Sequence, residues 1–400
     1  MNRRVVITGI GISTAHGTGK DINWERTQAG VSGIKNITSF DASGYMAGQG
    51  GEIKGFKKTF FNNLRDKRLD RATHLLVHTA REALLESGIV DIIKDKPALL
   101  SLGTTLGGML SGELFHRETI AKGLNRARLS LLNDYLAYNQ AVNLMREFNF
   151  AGDFMIFSNA CASGSNAIGH ALNSIRSGCC DIAVCGGYDT MCEFTFAGFN
   201  SLMALSPSLC RPFDRNRDGL ALGEGAGILV LEEAGHAIGR GAKILGEAAG
   251  YGEASDAYHM TAPEPSGRSA ALAITRAWND AGKPVIDYIN AHGTGTKYND
   301  TMETNAIVSA LGERAGDIPV SSTKSMVGHI LGGAGAVEAV ISLLAIRHKT
   351  VPPTLNYENP DPGCGLNIVK QAVGHNIKTV LSNSFGFGGS NAAVILKEYV

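Results

Sequence analysis

Strand-like apolar runs alternate with helical patterns along this chain, and after Gly241 the alternation starts again. The first series reads Arg4–Gly9 (strand), Ala72–Ser87 (helix), Ala98–Gly103 (strand), Phe154–Ser158 (strand), Gly164–Ser177 (helix), Ile182–Gly186 (strand) and Gly227–Glu232 (strand). The second reads Ile244–Ala249 (strand), a helix near Ser269–Ala281, strand Tyr288–Ala291, helix Thr301–Leu311, strand Pro319–Ser321, helix Ala334–His348, and strands Thr379–Ser384 and Ala392–Leu396. Short apolar runs alternating with amphipathic helices specify an α/β architecture with buried sheets. Repetition of the order points to two duplicated halves, 1–241 and 242–400, with any shared pocket where they meet.

Three segments carry chemistry. Cys161 follows a strand and precedes Ala162-Ser163-Gly164-Ser165-Asn166, small residues suited to a sharp turn into a helix. A sulfur at a helix N-terminus meets unpaired N–H groups and the positive dipole end, which predicts a lowered thiol pKa. The same turn aims the Cys161 N–H at a carbonyl oxygen. His292 lies in Asn290-Ala291-His292-Gly293-Thr294-Gly295-Thr296, a polar loop after a strand, with Asp300 and Glu303 on one face of the next helix to anchor the loop or a nearby lysine. Lys324 and His329 flank Ser325-Met326-Val327-Gly328. A lysine that hydrogen-bonds a histidine keeps the ring neutral, leaving its other nitrogen to donate to an anion. A thiol with two imidazoles suits thioester chemistry without a metal. The Gly-rich segment Asn383–Asn391 reads as a flexible loop whose N–H groups face an oxyanion, with an aromatic able to swing.

Other readings fall away. Val5-Val6-Ile7-Thr8-Gly9-Ile10-Gly11 imitates a dinucleotide fingerprint, but its third glycine falls on Thr14 and no helix pattern follows. Lys+Arg and Asp+Glu each number 37, so no global basic field draws in nucleic acid or an anionic membrane. Seven cysteines without metal-like spacing read as reduced thiols rather than a disulfide framework. The longest apolar stretch, Ala334 to Ile346, is interrupted by Glu338, and the N-terminus lacks a signal-peptide pattern. A cytoplasmic protein without membrane insertion is expected.

Together with Arg211-Pro212-Phe213-Asp214-Arg215-Asn216-Arg217-Asp218-Gly219, Gly223-Glu224-Gly225-Ala226-Gly227 and Asp256-Ala257-Tyr258-His259-Met260-Thr261, these segments resemble the β-ketoacyl-[acyl-carrier-protein] synthases, the type II elongating condensing enzymes of the thiolase superfamily, nearly end to end. The resemblance implies a thiolase-like five-layer αβαβα fold, a homodimer (or a heterodimer with a related subunit), and decarboxylative Claisen condensation between acyl and malonyl groups. Both groups would ride on the phosphopantetheine of an acyl carrier protein (ACP), with no further cofactor and no metal. It implies Cys161 as acyl carrier, His292 and His329 for decarboxylation and the enolate, and the N–H groups of Cys161 and Phe387 as oxyanion hole. Phe387 also matches the gating aromatic, and Lys324 with Glu303 an ion pair. Thr294, Thr296 and Gly388 would contact substrate, Leu106 would face the acyl pocket, and Lys67 and Arg68 would face ACP. Two departures stand out: Met203 replaces an arginine that helps bind the carrier, and the stretch Leu114–Phe150 diverges most. A thiolase would carry a second catalytic cysteine where Gly386-Phe387-Gly388 stands, and a non-catalytic chain-length factor would lack Cys161. Fatty acid elongation and specialised polyketide or polyene assembly both fit.

Overall fold

The computed structural model describes residues 3–56, 60–64 and 69–400; Lys67 and Arg68 lie outside the described residues. Ten strands form the frame: β1 (Val5–Thr14), β2 (Leu99–Gly103), β3 (Phe154–Phe157), β4 (Ile182–Asp189), β5 (Gly225–Glu233), β6 (Gly246–Ser255), β7 (Tyr288–Asn290), β8 (Pro319–Ser321), β9 (Thr379–Gly386) and β10 (Ser390–Lys397). The first five pair in the order β1-β5-β4-β2-β3 and the second five in the order β6-β10-β9-β7-β8. In each set the first two neighbouring pairs are antiparallel and the last two parallel. One topology is therefore used twice. The two sets touch through β1 and β6, where Val6 pairs with Glu247 and Ile7 with Gly246.

Helices α1 (Arg71–Ser87), α2 (Ser163–Arg176), α3 (Arg268–Asp280), α4 (Lys297–Leu311) and α5 (Ala334–His348) complete the layers. Helix α1 packs on β1 and β5, and α3 packs on β6 and β10 with α4 beside it. Between the sheets lie α2 and α5, each touching strands of both halves and each other. Position dictates composition. Helix α1 is amphipathic, whereas α5 is buried along its length from Ala334 to Ile346, and a helix covered all round must be apolar all round. The segment Leu331–His348 is long and apolar enough to span a bilayer, yet 89% of it is buried inside the protein.

The alternation read from the sequence survives with local corrections. The stretch Leu114–Phe150, without assigned elements above, holds most of the helix Met109–Lys122, then the helices Ser130–Tyr135 and Ala137–Phe148. The presumed Gly-rich loop is a tight hairpin: β9 runs to Gly386, Phe387–Gly389 make one turn, and Gly386 pairs with Ser390. All seven cysteines are free thiols.

Glycine sets how closely the nucleophile's helix approaches β2. A Cβ at Gly103 would sit 2.3 Å from the Ser163 carbonyl carbon and 2.4 Å from the Gly164 nitrogen, both backbone atoms that cannot rotate aside. Gly103→Ala is therefore expected to lower the unfolding free energy by about 1–3 kcal/mol, the usual cost of overpacking. Denaturant titration measures this, and an unchanged midpoint would refute the close-contact account.

Candidate active site

Cys161 stands on a strained turn. Ala160, the residue before it, has φ 56°, a left-handed conformation costly for a side-chain-bearing residue. The Ser163 hydroxyl holds the turn, accepting from Asn159 N–H at 3.0 Å and donating to the Ala160 carbonyl at 2.6 Å. A single 3₁₀ turn, Ala160–Ala162, then opens into α2.

The His292 loop is pinned by two carboxylates one helical turn apart on α4. Glu303 accepts from the His292 and Gly293 amides at 2.8 and 2.7 Å, and Asp300 from the Thr294 and Gly295 amides at 3.1 and 3.3 Å. Four successive amides are thereby satisfied, so the anchoring role read from the i, i+3 spacing holds. Gly293 and Gly295 supply the positive φ values, 34° and 78°, that curl the loop.

His329 arrives by a third route. A one-turn helix, Lys324–Val327, ends at Gly328, and the His329 backbone is clamped by Ala221 O and Gly223 N at 2.7 and 2.9 Å. Its Nδ1 accepts the Leu331 N–H at 3.1 Å. A neutral ring that accepts at Nδ1 carries its hydrogen on Nε2, which lies 3.0 Å from Cys161 Sγ. The His292 and His329 rings meet edge to face, 5.2 Å between centroids. One ligand atom each from Cys161, His292 and His329 lies within 4.8 Å of the others, and all three residues are buried.

Burial sets the protonation states. Both imidazoles are held well below the usual histidine value, first by desolvation and then by the charge of Lys324. Burial also pushes the Cys161 thiol up to about 12, against the lowering expected from its helix position; Lys324 and the Phe387 backbone N–H pull downward without prevailing. The resting group is thus a neutral thiol facing two neutral rings.

Lys324 departs from two expectations. Its ion-pair partner is Glu338 on α5, not Glu303. Glu303 is occupied by the two loop amides and the Asn383 side chain, and burial raises it to about 7. Nor does Lys324 donate to His329, since the Leu331 amide fixes that tautomer while Lys324 acts through its charge.

The three side chains line one cavity of about 420 Å³. Thr294 and Thr296 line it, their hydroxyls 2.9 Å apart, and Phe387 forms part of its wall, stacked on Phe199 at 5.7 Å and 16°. Leu106 is not itself on this wall; it packs behind it, in an apolar cluster with Phe196 and Leu331 that reaches the cavity through Phe199 and Leu220. Gly388 is also off the wall, with φ 78° and its N–H donated to the Met260 carbonyl at 2.7 Å.

Asp189 was not singled out from the sequence. This fully buried carboxylate at the end of β4 accepts from the Thr104 hydroxyl and from the amides of Thr105, Leu106 and Gly332 at 2.6 to 2.9 Å. It ties the Leu106 loop to the turn just after His329. Its only sequence signal is an acid closing an otherwise apolar strand.

A doubled five-stranded sheet around two central helices, with a cysteine at the start of one of them, defines a thiolase-like fold. The Beta-ketoacyl synthase, N-terminal domain matches residues 2–237 and the Beta-ketoacyl synthase, C-terminal domain residues 245–358. The chain belongs to the β-ketoacyl synthase family. A 3-oxoacyl-[acyl-carrier-protein] synthase 2 of Synechocystis sp. is 43% identical, with 99% of this chain and 98% of that protein covered. Among solved structures, the ishigamide ketosynthase/chain length factor superposes with TM-score 0.96 at 38% identity, covering 100% of both chains. AntDE:AntF, a type II PKS acyl-carrier protein in complex with its ketosynthase bound to the hexaketide, gives TM-score 0.92 at 31% identity, again over 100% of both chains.

Two outcomes follow from the geometry. With a thiol at about 12, alkylation of Cys161 by iodoacetamide should accelerate about tenfold per pH unit between pH 7 and 10, because only thiolate reacts; a plateau by pH 8 would show that desolvation does not dominate. Asp189→Asn puts an amide NH₂ against N–H donors, and one unmet buried group costs about 1–3 kcal/mol. Condensation turnover should fall about tenfold or more, read by steady-state kinetics, and wild-type turnover would exclude a positioning role.

Proposed function

We propose that the chain catalyses decarboxylative Claisen condensation of an enzyme-bound acyl thioester with malonyl-ACP, giving β-ketoacyl-ACP in fatty acid synthesis. The observation that carries this reading is the convergence of a thiol and two neutral imidazoles in the lining of one cavity. Acyl-ACP enters first. The Cys161 thiol gives its proton to His292, one ring nitrogen of which lies within 4.8 Å of the sulfur, and the sulfur attacks the acyl carbonyl. The departing pantetheine thiolate takes that proton. The N–H groups of Cys161 and Phe387 receive the carbonyl oxygen as it gains charge.

Malonyl-ACP then binds. Carbon dioxide leaves as the thioester oxygen becomes an enolate held by N–H groups of His292 and His329. A neutral donor in a dry site favours this anion, because no internal counter-charge must first be displaced. The enolate carbon attacks the acyl-Cys161 carbonyl, the C–S bond breaks, and the sulfur regains a proton from solvent through the imidazoles. Thr294 and Thr296 offer hydroxyls to the amide-rich arm, and Phe387, on the cavity wall, serves as the gate.

The partner is an acyl carrier protein, a reading supported by the AntDE:AntF complex among the structural relatives. The catalytic unit divides into a 1–241 half carrying the nucleophile and a 242–400 half carrying the histidines, supported by the repeated strand order. A homodimer through the outer edge of β3 is supported by Phe154 and Met155, which are 36% and 46% exposed on a strand whose outer edge has no partner among the described residues and needs cover. A second reading, ketosynthase of a specialised polyketide or polyene pathway, draws on the AntDE:AntF relative, a type II PKS ketosynthase.

Cys161→Ala should abolish the acyl adduct seen by intact-mass spectrometry after incubation with acyl-ACP, and an adduct that persists would remove the nucleophile assignment. His329→Ala should still acylate, while malonyl decarboxylation slows at least a hundredfold. Loading from a panel of acyl-ACPs separates the pathways: saturated chains load in elongation, polyene or polyketide chains in the alternative.

A further inference from the structure

The two N–H groups placed to receive the acyl oxygen, those of Cys161 and Phe387, belong to segments that no backbone hydrogen bond joins among the described residues. The backbone of the Phe387 turn is tied elsewhere: the Gly388 N–H donates to Met260 O at 2.7 Å, and Gly389 O accepts from the Asp256 N–H at 2.9 Å. Yet the Phe387 N–H faces the Cys161 sulfur. Side chains make the crossing. Asn159 Nδ2 donates to the Ser390 hydroxyl oxygen at 2.9 Å, and the Ser165 and Ser384 hydroxyls lie 2.9 Å apart. Gly386 and Ser390 are paired across β9 and β10, and Ser384 stands two residues before Gly386, so all three share one face of the hairpin. That face meets the nucleophile's turn: a Cβ at Gly386 would stand 3.0 Å from the Cys161 nitrogen. Gly335 of α5 leaves space only for the hydroxyl pair, since a Cβ there would fall 2.3 Å from Ser165 Oγ and 2.7 Å from Ser384 Oγ.

Taken with the proposed condensation, on which this inference rests, we propose that Asn159 and Ser390 are positioning residues: their hydrogen bond sets the distance between the Cys161 and Phe387 N–H groups in the oxyanion hole. Asn159 is fixed at its own end first. Its N–H donates to the Ser163 hydroxyl, which also holds the Ala160 carbonyl, so its side chain projects from the same strained turn that carries Cys161. Ser390 closes the turn that carries Phe387. One bond therefore connects the two arms beside the place where they must act together, while the fully buried pair of Ser165 and Ser384 braces the shared face deeper in the protein. Donors aimed at a developing oxyanion are effective when preorganised, because a donor that must reorganise during the reaction forfeits its advantage. The bridge leaves the sulfur's own reactivity to burial and to Lys324. Acyl transfer should thus depend on it, and plain thiol alkylation should not.

The test measures two reactions of Cys161 in the full chain: acylation by saturating acyl-pantetheine, followed by intact mass, and alkylation by iodoacetamide, which forms no oxyanion. Asn159→Ala and Ser390→Ala should each slow acylation about tenfold or more, since a misplacement of about 1 Å can cost about 10²-fold, while alkylation stays close to the original rate. The double variant should be no slower than either single one, because both remove the same bond. Ser390→Thr keeps the accepting oxygen and should acylate at nearly the original rate. Unchanged acylation in either alanine variant, additive losses in the double variant, or alkylation that changes as much as acylation would overturn the positioning role. An original chain that takes up no acyl group would overturn the condensing function and this role with it, a result distinct from losses confined to the variants.

Discussion

The ion pair of Lys324 with Glu338 is the interaction on which the site depends. Both side chains are only 2% exposed, and removing one partner from such a buried pair costs about 3–5 kcal/mol because the other charge is left uncompensated. Glu338 sits on α5, the helix shared by both sheets, so the pair bolts the His329 segment to the centre of the fold. Its ammonium also acts on all three reactive groups, helping to keep His292 and His329 neutral and drawing the Cys161 thiol downward. One charge organises three protonation states.

Desolvation outweighs that charge at the sulfur, and this divides the labour of the site. A thiol held neutral at rest does not react with every electrophile in solution. It becomes a nucleophile when a thioester arrives and its proton has somewhere to go. The two imidazoles differ accordingly: His329 is locked as a donor by the Leu331 amide, whereas His292, whose Nδ1 meets no partner among the described residues, has no such lock on its tautomer. Asp189 and the pair Asp300 with Glu303 hold the loops that carry these rings. Both devices bind successive backbone amides to buried carboxylates, a rigid way to fix a loop.

Much of this was legible in the sequence because it is local. The strands announce themselves as short apolar runs. The Cys161 turn is marked by Ala162, Ser163 and Gly164, and the anchoring of the His292 loop by the Asp300–Glu303 spacing. What escaped depends on distance in sequence or on total burial. Glu338 showed only as an interruption in an apolar stretch, with nothing to indicate that Lys324 would meet it across a turn. Thiol acidity could not be inferred from the helix start, since desolvation comes from residues supplied by both halves. The hairpin at Gly386–Ser390 looked like a loop because glycines hide strand pairing. The helices Met109–Lys122 and Ser130–Tyr135 expose Leu114, Ile120, Leu132 and Tyr135, which blurs the amphipathic pattern there, whereas Ala137–Phe148 is plainly amphipathic and was legible.

The most direct test of the account is the protonation of the two rings in the intact protein. Nitrogen NMR of ¹⁵N-histidine-labelled chain, assigned with His292→Asn and His329→Asn and titrated from pH 5 to 8, reports charge and tautomer together. Both rings should stay neutral throughout, with His329 as the Nε2–H form. Titration of either ring near the ordinary imidazole value, or an Nδ1–H tautomer at His329, would contradict it.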